Sequence, residues 1–272
     1  MDISVVIPSY NRYETLKRAL TSVYAQSFKP KEVIVIDDGS CDKTSNIQNL
    51  FPDIKYFYQK NSGVSSARNL GIKKAAYKWL AFLDSDDVWH KEKLAFHAIF
   101  HKKNPHILMS YTNERWIRDG VEVSMPQKYQ KFHGDIFDAS LSHCIIAPSA
   151  TLMHKNLLQD VGFFDENLEV CEDYDMWLRV ALKNNIGLID KKLITKYGGA
   201  DDQLSTKFWG MDRFRVKALE KLLDLELPKD KKDLVIKTLV HKYTLLLKGA
   251  IKYDRILDIN AYKTKIERYT FE

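Results

Sequence analysis

Four short apolar runs, Ile3–Ile7, Glu32–Ile36, Ile54–Tyr58 and Trp79–Leu83, each stop at a polar cluster, and helical patterns fill the intervals between them. The first helical pattern covers Glu14–Gln26, with Leu16, Ala19, Leu20 and Val23 on one face; Thr44–Asn49 and Ser65–Ala76 supply the others. Strands that alternate with helices through short connections build a parallel sheet with crossover helices. The four clusters, Pro8-Ser9-Tyr10-Asn11, Asp37-Asp38-Gly39-Ser40, Asn61-Ser62-Gly63 and Asp84-Ser85-Asp86-Asp87, all fall where a strand ends. They therefore share one rim, and open α/β sheets bind ligands at that rim.

The fourth cluster is the most chemically pointed. Asp84, Asp86 and Asp87 follow a strand that reads as fully buried, and charges cannot continue into a core without a large desolvation penalty. They emerge together, close enough to share a hard cation such as Mg²⁺ or Mn²⁺, which favours oxygen ligands and bridges carboxylates to phosphates. The competing reading is a helix start near Val88 with Asp86 or Asp87 as its cap. At the second strand end, Asp37 and Asp38 with Gly39 offer carboxylates to a base or a ribose, or form an Asx-capped turn. Arg68 stands near the start of the third helix, where its planar fork suits a diphosphate or where it is a surface arginine. Glu172, Asp173 and Asp175 open a helix predicted over Asp173–Lys183 with Met176, Trp177, Val180 and Ala181 apolar. Acids there favour the helix dipole, or one of them deprotonates a hydroxyl. Neither a Walker A pattern nor GxGxxG occurs in the chain.

Five segments in order resemble the inverting family 2 glycosyltransferases of the GT-A fold, of the bacterial polysaccharide and glycoconjugate type. They are Val6–Arg12, Val35–Ser40, Gly63 with Ala67–Gly71, Phe82–Asp87 and Glu172–Arg179. The resemblance covers about residues 1–200. It implies a Rossmann-like nucleotide-diphospho-sugar transferase fold: a mostly parallel central sheet flanked by helices. It also implies roles. Pro8 and Tyr10, with Asn11 and Arg12, would lie at the nucleotide; Asp38, with Asp37, would meet a uracil-type base; Gly63 and Arg68 would face base or diphosphate. Asp84, Ser85 and Asp86 would form the donor-binding Asp-x-Asp motif, with Mn²⁺ or Mg²⁺ on Asp86, Asp84 or Asp87. Asp173 would be the base, and Glu172 and Trp177 would contact donor sugar or acceptor. The donor implied is a UDP-sugar, and the acceptor a saccharide or lipid-linked saccharide. Two other readings stand beside this one: a nucleotidyltransferase acting on sugar phosphates, and a sugar-nucleotide-binding module without turnover. Many GT-A enzymes take a further metal ligand from a C-terminal histidine. The segment Tyr197–Ser205 has none, and the next, His241, sits in a predicted helix.

The expected organisation is a catalytic domain over 1–205, with a nucleotide-binding half at 1–105 and an acceptor half at 106–205, then a helical extension over 206–272. In the acceptor half, strands are predicted at Ile107–Tyr111 and Ile186–Ile189, a turn at Asp119-Gly120 and a loop over Tyr197–Ser205. From Met211 the pattern is helical, with Pro228 the one break. Residues 1–206 hold 26 basic and 26 acidic residues, so the whole net charge of +6 falls in 207–272. An apolar stripe, Ile236, Leu239, Val240, Tyr243, Leu246, Leu247 and Ala250, runs through this region. It fits packing on the catalytic domain, a homodimer, or peripheral membrane association. No nucleic-acid-binding motif accompanies the charge, so nucleic acid is not an expected partner. No run spans a bilayer and no signal peptide is read at the start. With three scattered cysteines (Cys41, Cys144, Cys171) this predicts a cytoplasmic protein, working in the cytosol or at the inner face of the membrane.

Overall fold

The computed structural model describes residues 1–199 and 208–271. Strand β1 (Ile3–Ser9) pairs in parallel with β2 (Glu32–Asp37) on one side and β4 (Trp79–Phe82) on the other, and β3 (Lys55–Tyr58) extends the sheet beyond β2. Both β1 and β2 are buried along their whole length, which accounts for their apolar stretches Val5–Pro8 and Val33–Ile36. On the far side of β4, β8 (Thr151–His154) runs antiparallel, followed by β6 (Met109–Arg118), β9 (Gly187–Gly198) and the two-residue β5 (Val88–Trp89). A short β7 (Val121–Val123) hairpins back on β6 across the turn at Asp119 and Gly120, both in left-handed conformation. The apolar runs predict the parallel half well; the mixed half carries no such regular pattern.

Helices α1 (Tyr13–Tyr24), α2 (Ile47–Leu50) and α3 (Val64–Lys74) make the expected crossovers, α2 being preceded by a 3₁₀ turn at Lys43–Asn46. Helix α3 packs tightly on the sheet because of Gly71: a Cβ there would lie 2.3 Å from Val6 Cγ1. Helices α4 (Lys93–Lys103), α5 (Phe137–Leu141), α6 (Leu157–Val161) and α7 (Glu172–Lys183) complete the first two hundred residues.

Three expectations need correction. No helix begins at Val88: Val88 and Trp89 ladder with Thr195 and Ile194 of β9, and α4 starts only at Lys93, so the helix-cap reading of Asp86 and Asp87 falls away. The strand expected at Ile186–Ile189 continues to Gly198, so Tyr197 and Gly198 belong to β9. The exposed charges Asp190, Lys191 and Lys192 hide that continuation, and they coincide with the register shifts of the β6–β9 ladder. Residues 200–205 of the expected loop lie outside the described residues. Pro228 does separate α8 (Asp212–Leu223) from α9 (Lys229–Lys252), but a second break at Tyr253–Arg255 precedes α10 (Ile256–Phe271). Most of the apolar stripe of α9 is spent on packing. Leu239, Tyr243, Leu246 and Ala250 are buried, with Ile236 and Val240 packed against the core.

Behind the sheet, α4 carries a buried polar file: Lys93, His97 and His101, each four residues apart. His101 Nδ1 lies 2.9 Å from the Ile107 carbonyl, which only accepts, so this nitrogen carries a proton. Neutral His101 then accepts at Nε2 from Ser110 Oγ (2.8 Å), whose oxygen accepts from His97 Nδ1 (2.7 Å). Burial holds both imidazoles below their ordinary range, His101 at about 4. An unfolded histidine binds its proton near pH 6.5, whereas these folded ones do not, so folding stability falls as pH drops from about 6.5 towards 4. Urea midpoints measured across that interval should fall more steeply for wild type than for His101→Gln. Carboxylates are common to both proteins, so the difference isolates the imidazole, and parallel curves would show that water reaches it.

Candidate active site

The carboxyl ends of β1, β2 and β4 meet at one rim, as their parallel registers require. The loops leaving them are sewn together by side chains. Asn11, in left-handed conformation, donates its N–H to Ser40 Oγ and accepts from Cys41 N, both at 2.8 Å. Asp38 accepts from Gln59 Nε2 (2.6 Å), Ser62 N (2.9 Å) and Gly63 N (2.9 Å). Burial nevertheless raises its pKa against these donors. A carboxylate has about four lone-pair sites, so Asp38 retains roughly one for a ligand. Asp37 accepts from Ser40 N and Tyr56 Oη and is buried; it holds the turn rather than facing a base. Pro8 and Ser9 end the buried strand β1, and Tyr10 stands half-exposed beyond them. Gly63, at φ +89°, starts α3 in a conformation most side chains resist.

The acidic cluster is a tight turn closed by Asp87 N to Asp84 O at 3.0 Å. The turn sends Asp84 and Asp86 partly outwards and buries Ser85 and Asp87. Ser149, buried beneath it, fixes the shape: Asp84 N donates to Ser149 Oγ (3.0 Å), which donates to Asp87 Oδ2 (2.6 Å). Burial pushes Asp87 up to about 8 against the pull of Lys196. Asp86 pairs with Arg12 at 2.6 Å, and its carbonyl accepts from Arg18 at 2.8 Å.

Arg68 joins this turn to the second half of the chain. It donates to Asp84 Oδ1 at 2.7 Å and to Glu172 Oε1 at 2.5 Å. At 3% exposure it is a buried bridge, with Asp84 and Glu172 at the two ends of its fork. Its neighbour Asn69 pins α3 to the turn at Gly162–Glu166 through the Phe164 backbone. Glu172 is buried, and burial pushes it up to about 7 although Arg68 opposes this. Asp173, the next residue, is only half-buried. Its oxygens accept from Tyr174 N (2.7 Å) and the Cys144 thiol (3.4 Å). Burial and Asp173 hold Cys144 well above the ordinary thiol range, so it stays a donor. Trp177 is 2% exposed and packs edge-on against Phe164, a place from which it supports α7 instead of touching a sugar. Asp175 is tied to Arg179 and Lys221.

Lys196 went unnoticed in the sequence. It lies on β9, one residue past the β5–β9 ladder, opposite the acidic turn. Burial works against its charge, but Asp87, Glu114, Asp84 and Asp173 outweigh it and keep the ammonium charged. The only signal available was the alternation Ile194-Thr195-Lys196, and that is legible only once β9 is known to continue.

The cluster suits a hard divalent cation in one particular way. Its donors are all oxygens, but Arg68, Arg12 and Ser149 each engage one of its carboxylates. Among the described residues no group of three His, Cys, Asp or Glu is arranged to hold a metal ion. The arrangement fits one or two carboxylates completed by water and phosphate oxygens, a common mode for Mg²⁺. His241 does not contribute, being exposed on α9.

Residues 4–162 match the family model described as Glycosyl transferase family 2. An uncharacterized glycosyltransferase of Rickettsia conorii is 38% identical over 194 residues, 70% of this chain but only 32% of that protein. This chain thus spans about a third of that relative's length. The Escherichia coli UDP-Glc:alpha-D-GlcNAc-diphosphoundecaprenol beta-1,3-glucosyltransferase WfgD is 30% identical over 75% of this chain and 79% of its own. The crystal structure of Staphylococcus aureus TarS 1–349 with UDP-GlcNAc superposes with TM-score 0.67 at 23% identity, over 99% of this chain and 92% of that one. The fold is therefore GT-A.

Removing the buried bridge while leaving its acids has a defined cost. Arg68→Met strands Asp84 and Glu172, and should destabilise the protein by roughly 3–5 kcal/mol. Calorimetry at neutral pH reads this as a lower melting temperature. An unaltered melting temperature would show that solvent, and not Arg68, balances the two acids.

Proposed function

The chain belongs to glycosyl transferase family 2, and from that premise we propose that it moves a sugar from a nucleoside-diphosphate donor directly to a hydroxyl of a saccharide acceptor, inverting the anomeric carbon. The observation that carries this reading is the Arg68 bridge. It ties Glu172, the residue before the half-exposed Asp173, to Asp84 of the acidic turn where a diphosphate would sit. Uridine is the nucleoside we favour, and a lipid-linked saccharide the acceptor. WfgD is named for a UDP-Glc donor and a diphosphoundecaprenol-linked acceptor, and TarS was crystallised with UDP-GlcNAc. The enzyme would then work in the cytoplasm at the inner face of the membrane, as a step in building a cell-envelope polysaccharide. Among the described residues no helix is long and apolar enough to cross a membrane.

Each residue has a physical task in this scheme. Tyr10 stacks on the base and the remaining acceptor site of Asp38 meets a base N–H. Arg12 and Lys196 turn from the carboxylates to the diphosphate oxygens. Asp84 and Asp86 would hold Mn²⁺ or Mg²⁺, which when bound neutralises charge on the departing diphosphate. Asp173 takes the proton of the attacking hydroxyl. Oxygen attacks the anomeric carbon as the bond to the diphosphate breaks on the opposite face, through an oxocarbenium-like transition state. Glu172 acts through Arg68.

Two measurements test the assignment. Asp173→Asn should lower transfer by roughly 10²–10⁴-fold, with UDP affinity nearly unchanged by calorimetry. Wild-type turnover in that variant would move the base elsewhere. Asp86→Ala should abolish the gain in UDP affinity that Mn²⁺ confers, whereas Lys196→Met should weaken UDP binding even in a chelator. If Asp86→Ala kept the full gain, the acidic turn would not be the metal site. If Lys196→Met bound UDP normally in chelator, its diphosphate role would be lost.

A further inference from the structure

Helix α9 ends in a compact turn. Asp254 takes the left-handed position at φ 51°, Arg255 N donates to Ala250 O at 2.9 Å, and Asp254 N donates to Ile251 O at 3.2 Å. This is the paired bonding of a Schellman stop, usually built on glycine. A turn closed this way has little freedom, so the side chains around it are held in place. Those side chains face outwards: Ile251 is 52% exposed, Tyr253 63%, Ile256 69% and Leu257 86%. Trp209, 51% exposed, extends the patch, because Arg255 stacks on its ring at 3.7 Å and Arg213 at 4.0 Å. Arg255 also faces Tyr253, as does Lys252. Apolar tips, two ring-bearing interfacial residues and a collar of cations thus meet in one place.

We propose that this turn, Ile251–Leu257 with Trp209, is a docking tip for an anionic phospholipid surface. The charge around it selects that occupant. Arg213, Lys248, Lys252 and Arg255 outnumber Asp254 and Asp258, and the chain's whole excess charge lies in the segment that contains them. Leu, Ile, Tyr and Trp sink into the headgroup boundary while Lys and Arg meet lipid phosphates. Position adds a second argument. Two residues beyond Trp209, the Met211 carbonyl lies 3.9 Å from Cys171 Sγ, directly before Glu172 and Asp173. Docking at the tip would therefore hold the start of α7, which carries Asp173, near the bilayer. The buried stripe of α9 takes no part in this: its residues pack inwards, and the tip is formed by the turn and the start of α10.

This inference rests on the proposed lipid-linked acceptor, and its test is independent of that reading. Vesicles of phosphatidylcholine alone, and of equal parts phosphatidylcholine and phosphatidylglycerol, are sedimented with the full chain. Thermal shift with UDP is followed in parallel. The wild-type chain should pellet with the mixed vesicles only, and less so at high salt. Ile256→Ser with Leu257→Ser alters exposed positions only, so it should keep the UDP shift and lose at least tenfold in vesicle affinity. Lys252→Gln should lose roughly fivefold. Absence of wild-type binding to mixed vesicles, with UDP shift intact, overturns the docking tip and leaves the transferase reading standing. Vesicle binding without a UDP shift does the reverse. A dimer in sedimentation velocity that the double variant dissociates, with no vesicle binding, assigns the patch to a second copy and overturns the proposal.

Discussion

A guanidinium buried at the end of a parallel sheet is the interaction on which the site depends. Arg68 would be intolerable there alone, since the cost of removing its charge from water runs to several kcal/mol. It is stable because Asp84 leaves β4 on one side and Glu172, 104 residues after Arg68, opens α7 on the other. The three groups must be assembled together, which makes the bridge a condition for joining the two halves. Its orientation is set in turn by α3, whose first turn hangs from Asp38 through Ser62 and Gly63 and whose closeness to β1 needs Gly71. One buried charge therefore transmits the geometry of the nucleotide end of the cleft to the residue proposed as base.

Much of this was legible in the residues, for a physical reason. Buried parallel strands must be apolar throughout and must shed their charges at the ends, so the rim announced itself at Asp37, Asp84 and Asn61. The order Ala67-Arg68-Asn69-Leu70-Gly71 stood out, yet its meaning did not. Whether an arginine meets a phosphate or two carboxylates depends on which distant acids the fold delivers, and Glu172 lies too far away in the chain for spacing to speak. Ser149 and Cys144 were invisible for the same reason: each acts through one contact, on Asp87 and Asp173, that no local pattern encodes. Strand β9 was cut short because a bulge brings three charged residues into its middle, interrupting the period-two signal while the ladder continues.

The C-terminal helices show the opposite difficulty. The stripe on α9 was correctly periodic, but periodicity says only that a face is covered, not by which partner. In the structure it is covered by the chain itself. Tyr243 and Tyr269 both donate to Glu220, Lys242 reaches the Ser142 carbonyl, and Lys221 on α8 grips Asp165 and Asp175 beside α7. The helices are thus tied to the element that presents Asp173. Residues with no periodic claim, at the turn after α9, are the ones left outside.

Charge balance within the cleft constrains how the proposed donor could enter. Without it, Arg12 pairs with Asp86, and Lys196 sits in the field of Asp87, Glu114, Asp84 and Asp173. These pairs stabilise a resting arrangement, and a divalent ion approaching Asp86 must compete with a cation already 2.6 Å away. An incoming diphosphate changes the competition, because its oxygens draw Arg12 and Lys196 off the acids and leave those acids exposed to each other. The repulsion so created would favour a cation beside them, which Asp84 and Asp86 would hold. Donor and ion each strengthen the other's site, so on this reading each binds more tightly with the other present. Asp84 and Asp86 would then hold the ion without a C-terminal histidine, and its charge would offset that of the diphosphate.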